Sequence, residues 1–203
     1  RAVDQLLERD VAVKVFHGGR HGNATHARRQ ESELRILAGM SHHALVTLFD
    51  ADVDPANASV SYLVMELVRG PDLRRRRAQS PISAAHVALI GHDLADGLAY
   101  MHHHGIVHRD IKPANVLLVD YNHQDPRPRA KLSDFGVAMI LGDDGFDDGD
   151  TSGTPHYLSP EQAVGDPVGP SCDVYSLGLV LLEALTGEVA FPGAPIQSAL
   201  ARL

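Results

Sequence analysis

His108-Arg109-Asp110-Ile111-Lys112-Pro113-Ala114-Asn115 is followed, nineteen positions after Asn115, by Asp134-Phe135-Gly136. The two stretches supply a carboxylate, an ammonium, an amide and a second carboxylate. One carboxylate can orient and deprotonate an incoming hydroxyl, while an amide and a second carboxylate can hold the magnesium ions that neutralise phosphate charge. Asp110, Asn115 and Asp134 are the candidates for these three tasks. The order and spacing of the pair, more than either stretch alone, carry the reading.

Upstream, Val11-Ala12-Val13-Lys14 is a short β-rich run that predicts a strand carrying Lys14. An isolated strand lysine is ordinarily a solvated surface charge, but the downstream pattern calls for a cationic phosphate clamp. Ala27 to Met40 has Leu34, Leu37 and Met40 on one stripe, which predicts an amphipathic helix. Glu33, beside that stripe, and Glu31 both qualify as the partner of Lys14, and spacing does not separate them.

Together these residues resemble the motif set of the protein kinase superfamily, most closely the bacterial eukaryotic-like serine/threonine kinases. The likeness rests on the motifs themselves and covers essentially the whole chain. It implies an α+β, two-lobed kinase fold truncated at both ends. Residues 1–66 are then a partial N-lobe holding the Lys14 strand, the glutamate helix and two further strands. Residues 67–203 are a partial C-lobe, running from the hinge to about helix G of the family. No Gly-x-Gly-x-x-Gly precedes Lys14, and Gly18-Gly19-Arg20-His21-Gly22 follows it with the wrong spacing. The expectation is therefore a chain that starts after the nucleotide lid and stops before the last C-lobe helices.

The resemblance also assigns roles. It chooses Glu33 over Glu31, because this glutamate lies about nine residues before the His of an L-x-H-P turn. Met40-Ser41-His42-His43 fits that turn, with His43 where proline is usual. Tyr62 to Val68 is both a buried apolar strand and the entry to the hinge, with Met65 as gatekeeper and Glu66 and Val68 offering backbone groups to adenine. Ala12 and Leu117 join the nucleotide-binding set. Gly153-Thr154-Pro155-His156-Tyr157-Leu158-Ser159-Pro160-Glu161 resembles the segment that reads the substrate, with Ser-Pro-Glu where Ala-Pro-Glu is usual. Asp173 to Gly178 resembles the start of the central C-lobe helix, whose aspartate holds the catalytic loop.

Lys112, two positions after Asp110, and Thr154 imply a serine or threonine acceptor, since tyrosine kinases carry an arginine-containing sequence after the aspartate. Arg109 implies pairing with a phosphorylated Thr151 or Ser152. His108 is implied to be structural, packing under Phe135 of the Asp134-Phe135-Gly136 turn. Glu161 is implied to pair with an arginine beyond Leu203. ATP and Mg2+ are the implied cofactors, and proteins with Ser or Thr acceptors the implied partners. Autophosphorylation through a homodimer is a further possibility of the family.

Composition agrees with a globular chain. It has 203 residues, 44% of them hydrophobic, and a net charge of −8, which argues against a general nucleic-acid binder. A single cysteine, Cys172, excludes a disulfide framework and, with no signal peptide, points to the cytoplasm. The longest apolar stretch, Leu177 to Leu185, is short and contains Glu183, so no membrane segment is expected within the chain.

Ala84 to His103 has apolar residues at helical spacing and predicts a long core helix. Val116 to Val119 and Ala130 to Leu132 resemble the family's strand pair that brackets the catalytic loop and the Asp134-Phe135-Gly136 turn, and Asp120 to Arg129 between them, polar and longer than the family usually needs, reads as a surface insertion. The basic run Arg74 to Arg77 reads as a solvated helix face. His102 to His104 cannot converge on one ion, because consecutive helical residues point about 100° apart. Asp143 to Asp150 lacks calcium-loop spacing and reads as the activation segment. Two other function classes are open to the sequence. A pseudokinase would ordinarily have lost Lys14, Asp110 or Asp134. A small-molecule phosphotransferase of the aminoglycoside-kinase type would ordinarily lack the Gly153 to Glu161 segment.

Overall fold

The computed structural model describes residues 1–17, 37–53, 60–119, 129–134 and 154–193, with residues 197 and 201. They form two compact units, one ending at Val68 and the other beginning at Arg69.

The first unit is a four-stranded antiparallel sheet of β1 (Ala2–Asp4), β2 (Arg9–His17), β3 (Leu48–Val53) and β4 (Val60–Glu66), in the order β1-β2-β4-β3. The three residues of β1 carry no alternation that would have announced a strand. Their hairpin is closed by the Asp4 side chain, which accepts the Leu6 and Leu7 amides at 3.1 Å. The Leu7 amide chiefly, with Arg9 and Leu6, holds the Asp4 carboxyl below its usual range.

The pairing of β2 with β4 sets Ala12 opposite Met65 and Lys14 opposite Leu63. Directly opposed residues share a face, so these four side chains lie on one side of the sheet. Leu63 is buried, which marks that side as the inner one, whereas Val13 and Val15 on the other side are exposed. A register shift between Leu48 and Asp50 leaves Phe49 as the extra residue, and the Arg9 guanidinium covers its ring at 3.6 Å. At the end of β4, Glu66 clasps Thr47: its amide donates to the Thr47 carbonyl at 2.9 Å, and its carboxylate accepts the Thr47 amide at 3.2 Å.

The second unit contains helices α1 (Leu73–Gln79), α2 (Ala84–His103), α3 (Pro160–Val164) and α4 (Pro170–Thr186), and the hairpin β5 (Val116–Val119) with β6 (Arg129–Leu132). Helix α2 spans the residues predicted for it. Ser83 caps its start by accepting the His86 amide. Val87, Ile90, Gly91, Leu94, Leu98 and Met101 form its buried stripe. Helix α4 starts three residues ahead of Asp173, because Pro170 is favoured in a first turn, and stops at Gly187, whose φ of 80° suits a glycine. Between the two helices Gly91 is buried, and a Cβ on it would stand 3.0 Å from Leu181 Cδ1.

The basic run departs from expectation. Arg74 and Arg75 are exposed, but Arg76 is buried and donates to the Ser80 carbonyl and hydroxyl at 2.9 and 2.8 Å. Arg77 reaches α4, pairing with the buried Glu183 at 2.7 Å and donating to the Gly187 carbonyl at 3.0 Å. Positions 73, 76 and 77 share one face of α1 by helical spacing. The solvated reading therefore holds for two of the four arginines and fails for the pair on the side of Leu73.

Candidate active site

The segment between α2 and β5 carries His108 to Asn115, and its geometry is set by one buried carboxylate. Asp173, 1% exposed, accepts the His108 amide on Oδ2 and the Arg109 amide on Oδ1, both at 2.8 Å. His102 Nε2 lies 2.7 Å from the same Oδ2. A charge taken out of water requires such a set of donors. With it, Asp173 fastens the segment to the first turn of α4.

Arg109 has a φ of 66°, a left-handed conformation that costs about 1–3 kcal/mol outside glycine and persists only where its surroundings enforce it. The enforcement comes from both sides of the residue: its amide bonds Asp173, and its carbonyl accepts Gln162 Nε2 at 2.8 Å. Asp134 has the same unusual backbone, with a φ of 61°.

His108 is wholly buried and links the two motif stretches. Its Nδ1 lies 3.3 Å from the Asp110 amide and its Nε2 lies 3.0 Å from the Ser133 carbonyl. An amide can only donate and a carbonyl only accept, so these contacts call for a ring that accepts on Nδ1 and donates from Nε2. Ser133 in turn donates its amide to the Asn115 carbonyl at 2.9 Å. The residue before Asp134 is thereby tied to both ends of the His108 to Asn115 segment.

Around Asp110 the side chains converge. Asn115 Nδ2 donates to the Asp110 carbonyl at 2.8 Å and to its Oδ2 at 3.0 Å. Lys112 Nζ approaches the same Oδ2 at 2.9 Å. With its NH2 group engaged in this way, Asn115 keeps Oδ1 as an oxygen ligand. Asn115 Oδ1 and the Asp134 carboxylate are the hard oxygen donors a magnesium ion prefers, so the residues fit that ion.

Downstream, the turn Thr154–Tyr157 and helix α3 are moored to α4 and the chain after it. The Tyr157 hydroxyl donates to Glu183 Oε2, and the Tyr157 carbonyl accepts Ser176 Oγ at 2.6 Å. Burial, followed by the Glu183 carboxylate, pushes the Tyr157 phenol well above its ordinary range. His156 Nδ1 lies 3.0 Å from the Phe191 carbonyl. Helix α3 opens with a reciprocal cap between Ser159 and Gln162.

The protein kinase domain family matches residues 1–202. The chain belongs to the protein kinase family. It is 40% identical over 197 residues to the serine/threonine-protein kinase PknB of Mycolicibacterium smegmatis, covering 95% of this chain and 31% of that protein. To PknB of Mycobacterium tuberculosis the identity is 38% over 197 residues, covering 95% and 30%. To the serine/threonine-protein kinase pkn2 of Myxococcus xanthus it is 37% over 191 residues, covering 92% and 22%. The chain spans about a third or less of the length of these relatives, each of which is named as a serine/threonine-protein kinase.

Within this kinase domain, Ala12, Lys14, Met65, Glu66 and Val68 belong to the first unit, and Asp110, Lys112, Asn115, Leu117 and Asp134 to the second. Glu33, Phe135, Gly136, Thr151 and Ser152 lie outside the described residues, as do Asp143 to Asp150 and the greater part of the predicted Ala27 to Met40 helix. Thr154 is placed in its turn by backbone alone, and Glu161 is half-buried at the start of α3. No helix among the described residues is long and apolar enough to cross a membrane.

Three contributors escaped the sequence reading. His102, read only as one of three consecutive histidines, meets Asp173 from 71 positions away. Gln162 meets Arg109 from 53 positions away, and Arg77 meets Glu183 from the other end of the unit. A capping Ser-x-x-Gln was visible for Gln162 in Ser159 to Gln162, but nothing local signalled its second bond.

Proposed function

We propose that the protein transfers the γ-phosphoryl group of ATP to Ser or Thr hydroxyls of proteins, in line and without a phosphoenzyme intermediate. The carrying observation is the Asp110 carboxylate, held by Asn115 and Lys112 on a backbone that Asp173 fixes. In this reading Asp110 orients the acceptor hydroxyl and takes its proton as the new oxygen–phosphorus bond forms. The bond from the γ-phosphorus to the bridging oxygen breaks, and ADP leaves. Lys112, already beside Asp110, follows the γ-phosphate as charge redistributes. Lys14, with Glu33, anchors the α- and β-phosphates. Asn115 and Asp134 would hold Mg2+, which supplies positive charge to the phosphates. Ala12, Met65 and Leu117 line the adenine, and Glu66 and Val68 bond it. Since the Glu66 amide already bonds Thr47, the Glu66 carbonyl is the group assigned to adenine.

Regulation is read from Arg109, as the partner of a phosphorylated Thr151 or Ser152, with a homodimer allowing one copy to modify another. Work with ATP on protein acceptors suits a domain in the cytoplasm.

The test is intact mass after incubation with Mg-ATP, on the native full-length protein and its Asp110→Asn variant, with Ser-, Thr- and Tyr-containing peptides as acceptors. Phosphate gained on Ser or Thr by the unsubstituted protein alone is the expected result. Equal gain in both proteins, or transfer to Tyr alone, would overturn the reading.

A further inference from the structure

We propose that Gln162 is a positioning residue, coupling the segment from Thr154 to Gln162 to the orientation of Asp110. The proposal rests on the reading of Asp110 as the residue that orients the acceptor.

The peptide unit between Arg109 and Asp110 has two polar groups, and both are gripped. Its carbonyl, on Arg109, accepts Gln162 Nε2 at 2.8 Å. Its N–H, on Asp110, points to His108 Nδ1 at 3.3 Å. The plane of this peptide sets the direction in which the Asp110 side chain leaves the backbone. It follows a residue with a φ of 66°, where the chain does not rest unaided. Asp173 and His108 hold their side of this arrangement from α4 and from within the loop. Gln162 alone among these contacts reaches it from α3.

The other end of the Gln162 amide is also used. Its Oε1 accepts the Ser159 amide at 3.0 Å, completing the cap in which Ser159 Oγ accepts the Gln162 amide at 3.4 Å. One side-chain amide thus bridges the first turn of α3 and the peptide before Asp110. The task requires an acceptor and a donor on one planar group of this length. Glu keeps the acceptor and loses the donor, setting a carboxylate against the Arg109 carbonyl. Met keeps the length and loses both. Ser159, which is buried, takes part in the cap and makes no bond to Arg109. A displacement of α3 would therefore reach Asp110 through Gln162.

The experiment compares Gln162→Glu, Gln162→Met and Ser159→Ala with the unsubstituted protein, all full-length, by kcat and KM for ATP and a Ser/Thr peptide. Melting temperature and hydrogen exchange of the His108 to Ile111 amides are followed alongside. The expected result is a kcat lowered about 10- to 100-fold in both Gln162 variants, the scale of a misplaced reacting group, with KM for ATP unchanged and the loop amides exchanging faster. Ser159→Ala, which loses the hydroxyl half of the cap and keeps the Gln162 bond to Arg109, should lower the melting temperature and lower kcat by less than either Gln162 variant. The proposal is overturned if folded Gln162→Glu and Gln162→Met keep the unsubstituted kcat. It is equally overturned if Ser159→Ala lowers kcat as much as they do, since the cap would then explain everything. If either Gln162 variant fails to fold, the other decides. If neither folds, unaltered loop-amide exchange in Gln162→Asn, which shortens the bridge, overturns it. Asp110→Asn is run in parallel: full turnover there would sink the reading of Asp110 itself, independently of Gln162.

Discussion

His102 Nε2 and Asp173 Oδ2 stand 2.7 Å apart, joining the last turn of α2 to the first turn of α4 at the carboxylate that also takes the His108 and Arg109 amides. Among the described residues, the two longest helices of the second unit and the segment from His108 to Asn115 therefore share one anchoring point.

Removing that point should be costly in two ways. Asp173→Ala strips partners from the buried His108 amide and the Arg109 amide, at about 1–3 kcal/mol for each donor left unsatisfied. It also releases the strained backbone of Arg109. The expected outcome is a loss of several kcal/mol in urea unfolding, with turnover lost in whatever protein remains folded. His102→Phe keeps the backbone bonds and should cost only about 1–2 kcal/mol. Similar losses for the two variants would show that the backbone bonds matter little.

The pair of Arg77 with Glu183 supports a second prediction. Glu183 is 2% exposed and also accepts the Tyr157 hydroxyl. Arg77→Met leaves a buried carboxylate without its countercharge, which typically costs about 3–5 kcal/mol. Adding Glu183→Gln removes the stranded charge and keeps an acceptor for Tyr157, so the double variant should recover most of the loss. A double-mutant cycle read by denaturant midpoint checks this, and additive losses would refute it.

The kinase family and the two-lobed α+β plan were legible because Asp110, Asn115, Asp134 and the Gly153 to Glu161 stretch are contiguous motifs. Helix α2 was legible because its apolar spacing is uninterrupted, and strand β5 because Val116 to Val119 is an unbroken apolar run directly after the His108 to Asn115 motif. What the sequence concealed was polar pairing at a distance. Arg76 and Arg77 look no different in composition from Arg74 and Arg75. Only the turn of α1 relative to Leu73, and a glutamate more than a hundred positions away, decides which of them is buried. The bond of Gln162 to Arg109 was hidden for the same reason. β1 was too short to show a pattern, and its strand exists because β2 offers an edge.

A third prediction concerns alkaline pH. The Cys172 thiol is fully buried, and burial, followed by the neighbouring Asp173 charge, pushes it up to about 12 from an ordinary value of 9.0. Below pH 9 folded and unfolded chains both keep this proton, and the contribution to stability is complete. Between about pH 9 and 12 the unfolded chain gives it up first, so unfolding releases a proton and stability falls as pH rises. Tyr157 acts in the same direction above its ordinary value of 10.0. Cys172→Ala should flatten the decline in melting temperature between about pH 8 and 11. The native thiol should also react with iodoacetamide only as the chain unfolds. Rapid labelling of folded protein would contradict the burial.

Lys14→Met tests the role proposed for the first unit. Turnover should drop at least about a hundredfold, the scale of losing a preorganised charge that stabilises the transferring group. Sheet packing should be spared, because Leu63 opposite remains covered by an unbranched side chain. A measurable shift in melting temperature with unaltered turnover would assign Lys14 to the fold instead.

The close approach at Gly91 has its own consequence for how this chain can change over time. With Leu181 Cδ1 3.0 Å from where a methyl would stand, even an alanine at position 91 requires the Leu181 side chain to give by a few tenths of an ångström. The two positions are thereby a linked pair: what α2 admits at 91 depends on how the side chain at 181 on α4 can turn aside.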